Sequence, residues 1–192
     1  MDNSLTIIKK YLEDSYQLAD KQRKMGEEIN AVASQCIKTL ESGGKLIFMG
    51  NGGSASDSLH LSAELVGRFQ KDRRALPAIS LSSNISVITA IANDYGYENI
   101  FVKQIEALGN ENDLLIAIST SGLSENILRG LEFAVEKGIK TVGLTGKESI
   151  KMSKYCDIII NVPSTSAAMI QQSHITIGQL WCLLIEEHFF ES

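Results

Sequence analysis

Short apolar runs alternate with amphipathic helical patterns from about residue 46 onward, and this alternation limits the possible folds more than any other feature. Five such runs lie at Leu46–Met49, Ala78–Leu81, Leu114–Ile118, Thr141–Leu144 and Ile158–Val162. Strands that alternate with helices across short connections pair in parallel and are covered by helices on both faces. The alternation therefore predicts a doubly wound α/β fold with a parallel sheet.

Two helical patterns precede the first run. The first spans residues 5–22, and the second ends at Gly43-Gly44; their apolar positions are Leu5, Ile8, Leu12 and Leu18-Ala19, then Ile29, Val32, Cys36 and Leu40. Such helices often supply an oligomer contact, although they can equally cover the sheet. A later pattern at 126–137 places Leu128, Leu131 and Val135 on one side, and a last helix is predicted over about 167–187.

These patterns predict one domain over residues 1–192. Residues 1–43 form the N-terminal helices for packing or oligomerisation, and residues 44–192 form the α/β core and the C-terminal helix. At this length the chain can bury one sizeable core, whereas it is short for two full domains.

The bulk composition excludes several kinds of partner. The net charge of −5 argues against a nucleic-acid surface, which needs clustered basic residues. No apolar run approaches the ~20 residues of a membrane span, and no signal peptide is recognised. Cys36, Cys156 and Cys182 are widely spaced, as expected of reduced thiols. We therefore expect a soluble cytoplasmic protein.

The first strand runs into the glycine-rich turn Gly50-Asn51-Gly52-Gly53-Ser54-Ala55-Ser56. This string matches a dinucleotide-binding fingerprint, but that motif expects a carboxylate at the end of the next strand. Here that strand ends in Leu81-Ser82-Ser83-Asn84. The dinucleotide interpretation is therefore disfavoured, and the open choice is between a plain glycine turn and a ligand-binding one.

The third strand runs into Ser119-Thr120-Ser121-Gly122-Leu123-Ser124, directly before a helix. One hydroxyl suffices to cap a helix, so four hydroxyls in six positions indicate a further role. Hydroxyls and backbone N–H groups at the positive end of a helix form a phosphate cradle. The loop predicts phosphate binding, with a hydroxyl-rich turn as the alternative.

Two helices carry polar residues that could serve a site. His60 and Glu64 are four residues apart and so lie on one helix face. Gln171, His174 and Gln179 lie among apolar residues of the last helix, where they need partners or a ligand. Taken alone, the first pair is typical of a surface contact and His174 of a satisfied core histidine.

Together these residues resemble the sugar isomerase (SIS) family, and within it the phosphoheptose isomerases. The resemblance spans essentially the whole chain, and its motifs are Gly50-Asn51-Gly52-Gly53-Ser54, His60-x-x-x-Glu64, Ala92-Asn93-Asp94-Tyr95-Gly96, Ser119-Thr120-Ser121-Gly122-x-Ser124 and Ile170-Gln171-x-x-His174-Ile175. It implies a flavodoxin-like sheet and a homotetramer with active sites at subunit interfaces. It also implies conversion of sedoheptulose 7-phosphate into D-glycero-D-manno-heptose 7-phosphate for surface polysaccharide, either lipopolysaccharide or capsule.

The resemblance also implies roles for individual residues. Ser119, Thr120, Ser121 and Ser124 would hold the phosphate. The sugar would be lined by Asn51, Gly52, Gly53, Glu64, Asn93, Asp94 and Gln171. A zinc ion would be bound by His60, Glu64, Gln171 and Gln179. Glu64 is the expected base for proton transfer through an enediol.

The chain departs from the family at two places. Gln179 stands where the family usually has a histidine that serves as metal ligand and proposed acid/base. An amide cannot shuttle protons near neutral pH, and zinc prefers imidazole, so weaker metal binding is expected. Gln179 is kept with Glu64 as a catalytic candidate, and Glu64 is expected to serve both carbons. The family's Arg-Ile-Gln-Glu is here Met169-Ile170-Gln171-Gln172.

Two alternatives stay open at this point. One is a non-catalytic binding protein of the same fold, of the type that regulates replication initiation by contacting an initiator protein. The other is an isomerase of a different sugar phosphate, because a fold does not fix a substrate.

Overall fold

The computed structural model describes residues 3–147 and 149–190. Its centre is a five-stranded, fully parallel sheet in the order β2-β1-β3-β4-β5. The strands are β1 (Leu46–Gly50), β2 (Ala78–Ser80), β3 (Leu114–Ser119), β4 (Lys140–Thr145) and β5 (Ile158–Asn161). This order is that of flavodoxin-like doubly wound sheets, so the predicted fold class is confirmed.

In the described part of the chain, seven α-helices surround the sheet. They are α1 (Asn3–Gln22), α2 (Gly26–Glu41), α3 (Gly53–Val66), α4 (Ile85–Tyr95), α5 (Ile100–Leu108), α6 (Glu125–Glu136) and α7 (Ala167–Phe189). A short 3₁₀ turn, Tyr97–Asn99, joins α4 to α5. Within the described residues, none of these helices is long and apolar enough to span a membrane.

Two apolar clusters form the core, one on each face of the sheet. Alternate residues of a strand point to opposite faces. Leu46 and Phe48 accordingly join the cluster that includes residues of α2, α3 and α7, whereas Ile47 and Met49 join the one that includes residues of α5 and α6. The central strands β1 and β3 are buried along their whole length, as their uninterrupted apolar runs predict.

One predicted helix face is partly wrong. The sequence pattern places Val135 with Leu128 and Leu131 on one side of α6, but Val135 is 49% exposed. The helix packs instead through Ile127, Leu131 and Ala134, which are all 0% exposed. Three positions spaced by three and four residues already fill the stripe that faces the sheet, so Val135 falls beyond its edge.

The two N-terminal helices differ in how they pack. Ile29, Val32 and Cys36 of α2 are buried in the core, and α2 packs against α7. Among the described residues of α1, only Leu18 is buried. The apolar residues predicted on one side of α1 are instead largely exposed, with Leu5 at 57%, Ile8 at 52% and Leu12 at 61%.

Candidate active site

The loops that follow β1 and β3 meet at one place. These two strands are neighbours, but β2 follows β1 outward in one direction and β4 follows β3 in the other. Such a switch point leaves a crevice beyond the carboxyl ends of the strands, where ligands bind in open α/β sheets. The glycine-rich turn at 50–56 and the hydroxyl-rich loop at 119–124 both lie there, as the sequence predicts.

Asn51 is tied to the start of α6 by a pair of reciprocal amide hydrogen bonds. Its Nδ2 donates to Oδ1 of Asn126 at 2.9 Å, and Nδ2 of Asn126 donates back to Oδ1 of Asn51 at 2.9 Å. The hydroxyl of Tyr97 donates to the same Oδ1 of Asn51 at 3.1 Å. The Asn51 side chain therefore holds the two loops together, with its Oδ1 accepting two hydrogen bonds and its Nδ2 donating one to protein groups.

The hydroxyls of the second loop divide into two groups. Ser119 is buried, and its Oγ accepts from the backbone N–H of Gly122 at 3.1 Å, which helps to form the turn. Gly122 has a φ of +62°, a conformation that favours glycine. Thr120, Ser121 and Ser124 are at least partly exposed. Ser124 occupies the cap position of α6 without a side-chain capping bond in the described part of the chain.

A cavity of about 220 Å³ lies beside this loop. Thr120 and Ser121 line one part of it, and Lys147 and Ser164 line another. Lys147 is a candidate site residue that the sequence patterns did not indicate. An ammonium group beside hydroxyls and a helix N-terminus adds to the positive potential that an anion requires.

Helices α3 and α7 run side by side in the same direction and place the remaining predicted residues along one seam. A methyl group on Gly53 would overlap the Gln171 amide, 2.8 Å from its Cδ. One on Gly178 would overlap Leu61, 3.0 Å from its Cγ. Cys182 lies one turn after Gly178 on α7. Burial raises the pKa of its thiol to about 12, and the nearby charge of Glu64 on α3 adds to this effect, so Glu64 lies close to this turn of α7.

His60 and Glu64 are in direct contact on α3. Nε2 of His60 lies 2.9 Å from Oε1 of Glu64, and the side chains are 46% and 23% exposed. This contact fixes one carboxylate oxygen of Glu64 and leaves the other without a bond to His60. A partly exposed carboxylate that a neighbouring side chain orients has two of the features that a general base requires.

Asp57 lies one turn before His60 and was not predicted. Burial raises the pKa of its carboxyl to about 6, although the nearby His60 lowers it. Within the described residues, its buried Oδ2 has no hydrogen-bond partner. The spacing Asp57-x-x-His60 on one helix face was the available signal in the sequence.

Two further predicted sugar-lining residues lie on α4. Asn93 and Asp94 lie near the end of α4, where Nδ2 of Asn93 donates to Oδ1 of Asp94 at 2.7 Å. Both are exposed, and within the described chain α4 has no buried residue. Their predicted role remains a prediction.

The four predicted zinc ligands do not form a usual zinc site. His60 and Glu64 supply one imidazole and one carboxylate in contact, whereas Gln171 and Gln179 supply only amides. Zinc takes Cys, His, Asp or Glu ligands almost always. Residues 3–147 and 149–190 contain no group of three or more such side chains placed to hold a metal. Zinc binding therefore stays a prediction, with weak affinity expected from this donor set, and the roles proposed below for the site residues rest on protein groups.

Comparison with known proteins agrees with this architecture. The family model described as SIS domain matches residues 10–146. The phosphoheptose isomerase of a Nitratiruptor species is 52% identical over 154 residues, which cover 80% of this chain and 82% of that protein.

Two solved structures have the same fold over nearly the whole chain. A phosphoheptose isomerase from Francisella tularensis is 37% identical, with a TM-score of 0.93, and the match covers 97% of this chain and 100% of that one. The phosphoheptose isomerase of Neisseria gonorrhoeae is 32% identical, with a TM-score of 0.91, and the match covers 96% of this chain and 100% of that one.

Proposed function

Because the chain belongs to the SIS domain family, and within it to the phosphoheptose isomerases, we propose that it interconverts sedoheptulose 7-phosphate and D-glycero-D-manno-heptose 7-phosphate. That it is a sugar phosphate isomerase follows from its relatives; the particular substrate is the proposal. The observation that carries it is the Glu64 carboxylate, partly exposed and held by His60 in the helix that follows the first loop of the crevice.

Glu64 moves the proton in the proposed reaction. Its free carboxylate oxygen takes a proton from C1 of the ketose, and the electron pair moves through a C1–C2 double bond onto the carbonyl oxygen at C2. The enediolate then passes the proton of its C1 hydroxyl to the oxygen at C2. When the same carboxyl returns its proton to C2, the electron pair on the C1 oxygen forms the aldehyde, which gives the aldose. His60 keeps Glu64 oriented through both steps.

The groups around the base have separate tasks. Gln179 lies one residue after the point where α7 packs on Leu61, and its neutral amide is proposed to donate a hydrogen bond to the developing enediolate oxygen. Thr120, Ser121, Ser124 and Lys147 are proposed to hold the phosphate at the start of α6. Because the Asn51 side chain is bonded to Asn126, backbone groups of Gly52 and Gly53 are the proposed sugar contacts.

We also propose that the enzyme is a homotetramer that supplies heptose for surface polysaccharide. The exposed apolar stripe Leu5, Ile8 and Leu12 on α1 is a surface that a second copy would cover. A partner would likewise cover α4, which carries Asn93 and Asp94, so the site would be completed at an interface. The three cysteines are free thiols, as expected of a cytoplasmic enzyme.

The test is turnover of sedoheptulose 7-phosphate by the purified chain and by Glu64→Gln. Removal of a general base lowers kcat by about a hundredfold to ten-thousandfold. Proton exchange with solvent at C1, followed by NMR in deuterated water, should fall in parallel because it reports the same abstraction.

The matched control is Glu111→Gln, which changes an exposed carboxylate in the loop before β3 and should leave kcat unchanged. Full activity in the Glu64 variant would exclude this residue as the base. A folded wild-type protein without turnover of this substrate, but with turnover of another sugar phosphate, would show that the substrate assignment is wrong.

A further inference from the structure

Arg73 and Glu186 form a buried ion pair at the far end of the α3–α7 seam. Nε of Arg73 lies 2.8 Å from Oε1 of Glu186, and both side chains are 1% exposed. Moving such charges out of water costs several kcal/mol per ion, so a pair at this depth needs many compensating hydrogen bonds. The hydrogen bonds of this pair go to α3 and to the segment after it, and neither residue was expected in the site.

Glu186 binds the segment that follows α3. Its carboxylate accepts hydrogen bonds from the backbone N–H groups of Phe69, Gln70 and Lys71, at 3.2, 2.7 and 2.9 Å. Burial alone would raise the pKa of Glu186, but these N–H groups and the Arg73 guanidinium together lower it. The carboxylate is therefore charged and fixes three consecutive residues of the chain.

Arg73 binds the last turn of α3 itself. Its Nη2 donates to the backbone oxygen of Glu64 at 2.8 Å, and its Nη1 donates to the backbone oxygen of Leu65 at 2.9 Å. The last four carbonyls of a helix have no partner within the helix. The planar guanidinium holds two of them at once in a fixed geometry, which a lysine could not do.

We propose that Arg73 and Glu186 are positioning residues that hold the main chain of Glu64, and so its carboxylate, in place against the substrate. This inference rests on the proposed function, in which Glu64 is the base. It assigns a catalytic consequence to a buried charge pair that would otherwise only stabilise the fold. We expect the effect on catalysis because the rate of proton abstraction depends steeply on the distance between the base and the substrate carbon. Phosphate binding at the start of α6 does not involve α3.

The experiment compares Arg73→Lys with the wild type in the full chain. We expect kcat to fall about tenfold to a hundredfold, the range for a misplaced catalytic group. The inhibition constant of inorganic phosphate, which reports the phosphate loop, should change by less than about twofold, because an interaction lost only in the transition state spares ground-state binding.

A double-mutant cycle separates positioning from general damage. If Arg73 acts through Glu64, Arg73→Lys should lower kcat in the wild-type background and have no further effect in Glu64→Gln. The matched control is Asp113→Asn, which breaks the Lys45–Asp113 pair at the amino ends of β1 and β3, where Nζ and Oδ2 are 2.6 Å apart and Asp113 is 3% exposed. This variant should lose stability and keep kcat.

Each outcome decides between positioning and a purely structural role. An unchanged kcat in folded Arg73→Lys, an equal fall in both backgrounds, or an equal fall in Asp113→Asn would overturn the positioning role. If Arg73→Lys does not fold, Glu186→Gln, which keeps the shape of the acceptor, takes its place in the same cycle. Retained activity of Glu64→Gln with Arg73 intact would instead show that the proposed base is wrong, and this inference would fall with it.

Discussion

At the scale of single residues, the site is held by side chains that the motifs did not include. Asn126 and Tyr97 bond the side-chain amide of Asn51, and Arg73 binds the backbone oxygen of Glu64. The predicted ligand contacts of the motif residues stay predictions. Asn51 has a structural task as well, since its amide joins two loops.

Gln179 gives a direct test of the metal prediction. The substitution Gln179→His would replace an amide of the predicted ligand set by an imidazole, so that the set would include three strong zinc donors. We expect zinc affinity, measured by calorimetry on the chelator-treated protein, to rise about tenfold or more. Gln172→His, which adds an imidazole on the exposed side of α7, should leave it unchanged. Wild-type zinc affinity equal to that of the Gln179 variant would show that the amide is an adequate ligand.

His174 should make stability depend on pH. The ring is fully buried, and burial lowers its pKa to about 4, although the backbone of Thr145 partly opposes this. Neither ring nitrogen has a hydrogen-bond partner of ordinary geometry among the described residues. The unfolded chain binds a proton near pH 6.5 and the folded chain does not, so stability falls as the pH drops from 6.5 towards 4.

The measurement is urea unfolding of the wild type and His174→Gln at pH 7 and pH 4.5. The pH-dependent loss should be smaller in the variant, by on the order of 2 kcal/mol. The raised pKa of Asp57 makes the fold more stable as the pH falls from about 6 to 4, which opposes the effect of His174. This contribution is the same in both proteins and cancels in the comparison. His188→Gln, at an exposed site, should leave the loss as it is. Equal losses in all three proteins would contradict the assignment to His174.

At the scale of elements, the packing of α3 against α7 decides where the proposed catalytic residues lie. The two helices approach closely where Gly178 of α7 faces Leu61 of α3, and the side chain of Leu61 is 1% exposed. Glycine permits this approach because any side chain would enter the volume of Leu61. In sequence, His60 and Glu64 lie one residue before and three residues after Leu61, and Gln179 follows Gly178.

Gly178→Ala should therefore destabilise the fold and disturb the site. Overpacking of a buried contact costs about 1–3 kcal/mol, and the separation of α3 from α7 should also lower kcat. Gly26→Ala is the matched control, because a methyl group there meets nothing within 4 Å, and it should be neutral or stabilise by about 0.4–1 kcal/mol. Thermal and urea unfolding of both variants measure the difference. Equal stability of the two would show that Leu61 can move away freely.

At the scale of the whole molecule, the most unusual feature is how much apolar surface α1 exposes. The stripe of Leu5, Ile8 and Leu12 continues to Tyr16, which is 67% exposed. Monomeric proteins rarely leave contiguous apolar surface of this kind on a long helix uncovered. The proposed tetramer would bury it, and the sheet and its crevice would then lie among neighbouring subunits.

Leu12→Glu should weaken this assembly. A charge in the centre of the stripe would have to be buried without a partner, which is costly. Light scattering should give a wild-type mass of a multiple of the 21.0 kDa chain and a lower mass for the variant. Lys10→Glu introduces the same side chain on the other side of α1 and should leave the mass unchanged. A wild-type protein that is monomeric at all concentrations would exclude the proposed tetramer.

The sequence by itself determined the strands, their parallel pairing and the edge of the sheet at which the candidate site is proposed. Buried parallel strands must be apolar on both faces, so their runs were visible, and parallel strands end at one edge, so the loops after β1 and β3 had to meet. The hydroxyls of 119–124 and the pair His60 and Glu64 needed only local spacing.

Only the tertiary structure decided which distant groups pair. Asn51 and Asn126 are 75 positions apart, and Arg73 and Glu186 are 113 apart. Local periodicity fixes which face of a helix is buried but carries no information about the register between two helices, and charged residues are by default assigned to the surface. The same limit explains α1, whose apolar stripe was visible in the sequence while its exposure depended on how the helix docks.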